Sequence, residues 1–488
     1  MFRDESRDSV WQQVRQRGLQ AFAAMLTPQA MQAAAAAAGV SVGTSALNVC
    51  TMAWLGVVGA MHTAKNFADV LTITMKHLED AGCPLPKARA KASRKKRCQA
   101  KDRCRSKHAP HGTSSQVTEE AFVQARGRFA PAFWACLLIA LAEAFQQQHP
   151  DRVRWKRFRL LMLDGTNIAL PRWKRLLDSF GASGAGKNRR PQARMVMLAM
   201  AQARLPWRYE VVPQSCHEQT AAKRLFEHVE RDDLVLMDRG FWSYGLFWQL
   251  QRQDAYFGIR LRAGTKLRRV KRLGHNDELV DWQPVVRSKK KCSWAGTGLP
   301  KSIRLRVIHY RVPGFRASAV VTNALNPRDI SRDEWVRMAS TDRRGHVLEA
   351  GLYHRRWEVE TMFYELKVFQ RLEGSLRGRM RESIEYEIGG HVLLYFLVRW
   401  LMVEAADEHG CEPLELSFKH ALQELEDLRP LLVVSTPAYV RLALLPKLLR
   451  RIAQHKIKRR PGRHYPRLGD KYKLGKYRKR SKLTQKQT

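Results

Sequence analysis

Arg159-Leu-Leu-Met-Leu-Asp164, followed by Gly165-Thr166-Asn167, and Asp233-Leu-Val-Leu-Met-Asp238, followed by Arg239-Gly240-Phe241, share one design. Each is a short apolar run stopped by an aspartate with glycine close behind. Such a run predicts a buried strand that ends at a functional edge. In open α/β sheets the chemistry sits outside the carboxyl ends of the strands. Taken singly, an aspartate at a strand end is more simply a turn former or a helix cap. Two of them, 74 residues apart, ask for a third partner before a site can be argued.

That partner comes from Tyr353-His-Arg-Arg356-Trp357-Glu-Val-Glu360-Thr-Met-Phe-Tyr364-Glu-Leu-Lys367. At about 100° per residue, steps of three, four and seven return to one helical face. A single α-helix over 353–367 would therefore carry Tyr353, Arg356, Glu360 and Lys367 as one polar stripe. Leu352, Val359, Met362, Phe363 and Leu366 fall largely off it and can pack inward. A carboxylate among a phenol, a guanidinium and an ammonium suits a site that handles a metal ion and phosphates together. Spacing alone favours a plain amphipathic helix, because Arg356 to Glu360 is an ordinary i,i+4 pair.

Charge shifts the balance. The chain has 87 Lys and Arg against 45 Asp and Glu, a net charge of +42 over 488 residues. That predicts a polyanionic partner, most simply nucleic acid, bound with strong salt dependence. A ribosomal protein would rarely be so long or carry 13 Trp. Three carboxylates from distant segments, Asp164, Asp238 and Glu360, can hold two divalent ions about 3.5–4 Å apart for in-line displacement at phosphorus.

With Asp164-Gly-Thr, Asp238-Arg-Gly-Phe and the Tyr-Arg-Glu-Lys helix in this order, the chain resembles the bacterial cut-and-paste DDE transposases. The similarity is to the insertion-sequence family defined by that Tyr-Arg-Glu-Lys spacing, and Trp357 has its usual place after the arginine. It covers roughly residues 155–400. The resemblance implies a ribonuclease-H-like α/β mixed sheet core, with a β-rich insertion before the last catalytic helix. It implies Asp164, Asp238 and Glu360 as catalytic metal ligands for two Mg²⁺, with Mn²⁺ also suited. It further implies that Tyr353, Arg356 and Lys367 bind DNA phosphates. The partners would be double-stranded transposon ends and target DNA, joined in at least a dimer. Tyr364, one turn after Glu360, is not basic, so no further cation is expected there. A metal-dependent nuclease on the same core, and an inactive DNA-binding relic, remain as alternatives.

Local patterns independently predict the core. Strands are expected over 157–163, 193–203, 207–213, 234–237 and 255–261, with helices over 220–230 and 242–251. The expected organisation is a helical region over 1–118 assigned to DNA binding, with a basic linker at 87–107. The first part of the core follows over 119–262, then the insertion over 263–341. The rest of the core occupies 342–425, and a basic segment 426–488. In the insertion, Trp282 and Trp294 are candidates to stack on an extruded base; packing in a small local core is an equally good reading.

Other signals are weaker. Residues 87–107 hold 11 Lys or Arg in 21 positions, and 447–488 hold 17 with one acid, Asp470; both read as solvated segments laid near phosphates. Cys98, Cys104, His108 and His111 do not match zinc-finger spacing, so no zinc is expected. Cys216-His217-Glu218 reads as structural, because adjacent residues rarely face one another. Thr44–Thr63 is too diluted by polar and small residues for a membrane span. Ile388–Ala406 reads as a core helix, since its longest uninterrupted apolar run is seven residues. Neither a secretory signal nor a membrane span is expected, which points to a cytoplasmic protein acting at the bacterial nucleoid.

Overall fold

A computed structural model describes residues 22, 25–42, 47–63, 69–71, 117–182, 189–283, 298–311, 317–337, 340–341, 347–348, 351–434 and 439–457. The basic linker, Trp294, the Cys98–His111 group and the tail beyond 457 lie outside these residues.

The expected strands and helices of the core form near the expected places. They are β1 (Phe158–Ala169), β2 (Gln192–Met200), β3 (Leu205–Pro213) and β4 (Asp233–Met237), then β5 (Tyr256–Arg260). The helices Glu218–Phe226 and Tyr244–Arg252 separate the last three strands. β1 runs antiparallel to β2, and β2 to β3. β4 lies parallel to β1, and β5 to β4. The resulting order, β3-β2-β1-β4-β5, with only the second strand reversed against the rest, is a ribonuclease-H-like core. Leu160 to Leu163 and Leu234 to Met237 are fully buried, as strands covered on both faces require.

The structure departs from expectation in several places. β1 does not stop at Asp164 but continues to Ala169, because its far half still pairs with β2 from Asp164↔Met197 to Ala169↔Gln192. What stops is the parallel pairing with β4, whose last pair is Leu163↔Met237. A helix at Lys174–Phe180, not foreseen, buries Leu176 and Phe180 and packs on β2 and β3. The strands of 263–341 join the main sheet, which the sequence did not indicate. Arg268–Gly274 (β6), Asp277–Trp282 (β7), Ile303–Tyr310 (β8) and Ser318–Thr322 (β9) extend the main sheet beyond β5, in the order β5-β9-β8-β7-β6. Their entry point is the antiparallel pairing of β9 with β5, Val320↔Arg260 to Thr322↔Gly258.

Helices cover the sheet. The long helix Arg381–Glu408 is apolar enough to cross a bilayer by length and composition, yet 94% of its apolar window is buried inside the protein. Pro131–Gln148 and Val49–Met61 pack against it. At their crossing, a Cβ on Gly390 would come 2.5 Å from the Gly56 carbonyl oxygen, so glycine there permits backbone-to-backbone contact.

Candidate active site

The site sits where the parallel pairing of β1 and β4 ends. Asp164 and Asp238 each follow the last parallel pair, so the two carboxylates leave adjacent strands side by side, at the ~4.8 Å spacing of neighbouring strands. Each accepts a backbone N–H just beyond itself. Gly165 N–H donates to Asp164 Oδ1 at 2.8 Å, and Gly240 N–H donates to Asp238 Oδ1. Asp238 thereby caps the short 3₁₀ turn Arg239–Phe241. Burial pushes the Asp164 carboxyl up to about 7, and the charges of Asp238 and Glu360 add to that, while the Gly165 N–H and Arg356 oppose it.

The Tyr-Arg-Glu-Lys segment is not one regular helix. Leu352–Arg356 is 3₁₀, Trp357–Tyr364 is α, and Glu365–Phe369 widens into a π turn. All four residues of the stripe nonetheless reach the ends of β1 and β4. Tyr353 OH donates to Met237 O at 3.3 Å, pinning the 3₁₀ turn beside Asp238; burial pushes its phenol up to about 12. Lys367 Nζ donates to Asn167 O and pairs with Glu373 at 3.1 Å, pinning the π turn to β1 beyond Asp164. Arg356 donates to Glu360 at 2.9 Å and stands 4.0 Å from Asp164, so one guanidinium spans two of the three acids. Its Nη1 is buried and makes no hydrogen bond.

A buried network sets the height of this segment against the sheet. Arg204, in the β2–β3 turn, pairs with Glu365 at 2.6 Å and with Glu358 at 2.5 Å. Tyr395 OH, from the long helix, donates to Glu365 at 2.6 Å, and Arg399 donates to Ala203 O at 3.0 Å. Glu358 and Glu365 alternate with Glu360 around the helix, so they face the protein while Glu360 faces the cleft.

Trp282 packs with Trp242, Tyr244 and Phe247 at ring separations of 5.1–5.5 Å, so it belongs to an aromatic cluster beside β5. Another carboxylate, Glu218, stands against β1 at Gly165, on the face opposite the Asp164 side chain, and pairs with Arg194 at 3.6 Å. A Cβ on Gly165 would come 2.9 Å from it, and one on Gly240 would come 3.9 Å from it. The residue opens the helix Glu218–Phe226. Its sequence neighbours Cys216 and His217 drew attention to a local cluster, whereas the relevant contacts lie with two distant glycines.

The profile of the "Transposase DDE domain" family matches residues 155–397, which span β1 to the long helix and contain every residue of this site. The chain belongs to this DDE transposase family. It is 26% identical over 367 residues to "Transposase InsG for insertion sequence element IS4" of Escherichia coli (strain K12), covering 73% of this chain and 77% of that one. A piggyBac transposase in a synaptic complex with hairpin DNA superposes with a TM-score of 0.32 at 10% identity. That overlap covers 60% of this chain and 56% of the other, a likeness too slight to support a fold argument. As a DDE transposase, the protein is an enzyme that binds and breaks DNA, and the family works with divalent metal ions.

The residues of the cleft fit such ions. Their donors are hard carboxylate oxygens, the kind Mg²⁺ and Mn²⁺ take. Asp164 is raised chiefly by burial, and the neighbouring charges of Asp238 and Glu360 add to it. Among the described residues, no three His, Cys, Asp or Glu side chains stand close enough to ligate one ion as they are. The Arg356 guanidinium lies between Asp164 and Glu360.

Proposed function

We propose that this transposase cuts phosphodiesters at the ends of a mobile DNA element and joins the freed 3′-hydroxyls to target DNA, a cut-and-paste reaction. Asp164, Asp238 and Glu360 hold two divalent ions, Mg²⁺ in the cell and Mn²⁺ as a substitute. When bound, these ions supply Lewis-acid activation of the attacking and leaving oxygens. The observation that carries this reading is that Asp164 and Asp238 each directly follow the last pair of two adjacent parallel strands, with Glu360 tied to Asp164 through one arginine.

The chain's own residues do the positioning. Backbone N–H groups fix the Asp164 and Asp238 carboxylates, so they need no reordering on DNA binding. Closing the three acids on cations requires the Arg356 bridge to open, and the released guanidinium then faces a phosphate oxygen. Its Nη1 makes no hydrogen bond and stands 4.0 Å from Asp164, so it is free to donate one to a phosphate oxygen. Lys367 neutralises a second phosphate beyond Asp164, and Tyr353 holds the helix start at the required height and reaches a phosphate once DNA is bound. Double-stranded element ends and target DNA are the substrates, two ends are paired by at least a dimer, and the reaction takes place in the cytoplasm at the nucleoid.

The test uses the full chain, Mg²⁺, a plasmid target and precleaved ends carrying the inverted repeats that flank its gene. Covalent end–plasmid joints are expected. The variants Asp164→Asn, Asp238→Asn and Glu360→Gln should bind the ends as the parent does and lose joining at least ~10³-fold. Cleavage without joints would reduce the protein to a nuclease. An Asp238→Ala variant that cleaves like the parent would overturn the site.

A further inference from the structure

Just past the end of β1 stands a tryptophan that packing does not explain. Trp173 lies in Pro171-Arg172-Trp173-Lys174-Arg175 and is 43% exposed, whereas Trp282 is held in its aromatic cluster. Among the described residues, Trp357 is the other tryptophan left so open. The Arg379 guanidinium lies over the Trp173 ring, 4.5 Å from its centroid. At an exposed site such a contact is weak; it orients the ring and leaves a broad apolar surface in water.

The surroundings are cationic. Arg172, Lys174, Arg175 and Arg379 are exposed. Arg190, also exposed, donates through Nε to Leu170 O at 3.2 Å, so it stands at the same end of the β1–β2 hairpin. Among the described residues none of these cations makes an ion pair, and the nearby Glu373 and Glu385 are paired with Lys367 at 3.1 Å and with Arg381 at 2.7 Å. Asp178 is the one acid between Pro171 and Gly181. Cations gathered without counter-charge favour a polyanion.

This surface continues the cleft. Lys367 Nζ donates to Asn167 O, and Glu373, its ion-pair partner, accepts the Ala169 N–H at 3.3 Å. The chain that follows Glu360 therefore runs beside β1 as far as Ala169, next to the Pro171–Arg175 stretch. From Asp164 to Ala169 is roughly 17 Å along the strand. Cations alone suit the backbone of any nucleic acid. An exposed indole among them suits base faces, which a duplex hides. Cations that track phosphates, beside an aromatic on which bases stack, are the arrangement that holds single strands.

We propose that Trp173 and Arg379, with Arg172, Lys174, Arg175 and Arg190 around them, hold an unpaired DNA strand beyond the cleft. A base stacks on the indole, and the cations take the phosphates on either side of it. This rests on the reading of the Asp164 cleft as the place where strands are cut, since cutting frees a strand end there.

The experiment uses the full-length protein and an oligothymidylate carrying 5-iodouracil, either single-stranded or annealed to oligodeoxyadenylate. Binding is followed by fluorescence anisotropy at ~0.3 M salt, where contacts through phosphates alone are weak. Irradiation and mass spectrometry then locate the cross-link, and melting temperatures accompany each variant. The single strand should cross-link to the peptide that contains Trp173. Trp173→Ala should weaken single-strand binding about tenfold and duplex binding less than threefold, at an unchanged melting temperature. Trp173→Phe, which keeps a ring, should stay within threefold of the parent on both. If Trp173→Ala holds the single strand within threefold of the parent, or loses both forms equally, the stacking platform is overturned. The same follows if the cross-link falls elsewhere. Asp164→Asn, run beside them, should keep the cross-link and lose joining in the plasmid assay. If it keeps both, the cleft assignment fails and the platform stands.

Discussion

Replacing Arg204 with methionine should cost this transposase about 4 kcal/mol of stability, through a network that never touches DNA. Arg204 is 4% exposed, and Glu365, which it meets at 2.6 Å, is 3% exposed in its side chain. Methionine keeps the stem and removes the charge. Glu365 is then left buried with only the Tyr395 hydroxyl, at 2.6 Å, as a donor. Removing one partner of a buried ion pair costs ~3–5 kcal/mol, because the other charge stays desolvated. Glu358 adds less. Its side chain is 23% exposed, and the positive charge of Arg355 acts on it, so it can turn toward water. Removing both charges, in Arg204→Met with Glu365→Leu, should recover most of the loss. It leaves the Tyr395 hydroxyl unpaired, a residual deficit of about 1–3 kcal/mol. Equilibrium urea unfolding of the two single variants and the double variant, followed by tryptophan fluorescence with shared slopes, gives the three values. A loss below ~1 kcal/mol for Arg204→Met, or additive losses in the double variant, would refute the claim that this pair is a buried, coupled unit.

Other expectations follow from the same packing. Burial, reinforced by the charges of Asp407 and Glu408, pushes the Glu404 carboxyl up to about 7. The folded protein therefore holds that proton while the unfolded chain has released it, so stability falls as pH rises from about 5 to 7. Glu404→Gln should remove about 2 kcal/mol of the difference between urea unfolding at pH 5 and at pH 8; identical pH profiles would contradict this. Gly390→Ala places a methyl group 2.5 Å from the Gly56 carbonyl oxygen and should lower stability by ~1–3 kcal/mol, measured by urea unfolding. Joining should be abolished in the three acid variants while end binding persists, read by gel shift beside the plasmid assay.

Much of the core was legible because its strands are buried on both faces. Leu160 to Leu163 and Leu234 to Met237 could hardly be anything but central strands. The aspartates that end these apolar runs mark where the parallel pairing of β1 and β4 stops, even though β1 itself runs on to Ala169. Apolarity reports burial, and burial ends where β4 stops covering β1, whereas strand pairing with β2 does not. The helix Lys174–Phe180 was missed because only Leu176 and Phe180 are buried, too few for a periodic signal. The resemblance implied β structure in 263–341, but that its strands join β5 is a tertiary fact: an edge left open by the core can take further strands.

The stripe on the Tyr-Arg-Glu-Lys segment shows where spacing arguments hold and where they mislead. Ideal α-helical geometry put Tyr353, Arg356, Glu360 and Lys367 on one face, and they do converge on the β1 and β4 ends. They do so through three different helical pitches, each fixed by contacts outside the segment. Tyr353 on Met237 holds the first pitch, and Lys367 on Asn167 holds the last. Between them, Arg204 clamps Glu358 and Glu365 on the opposite side from Glu360. The polar face is thus set by its own residues gripping β1 and β4, and the buried acids behind it keep that grip from sliding.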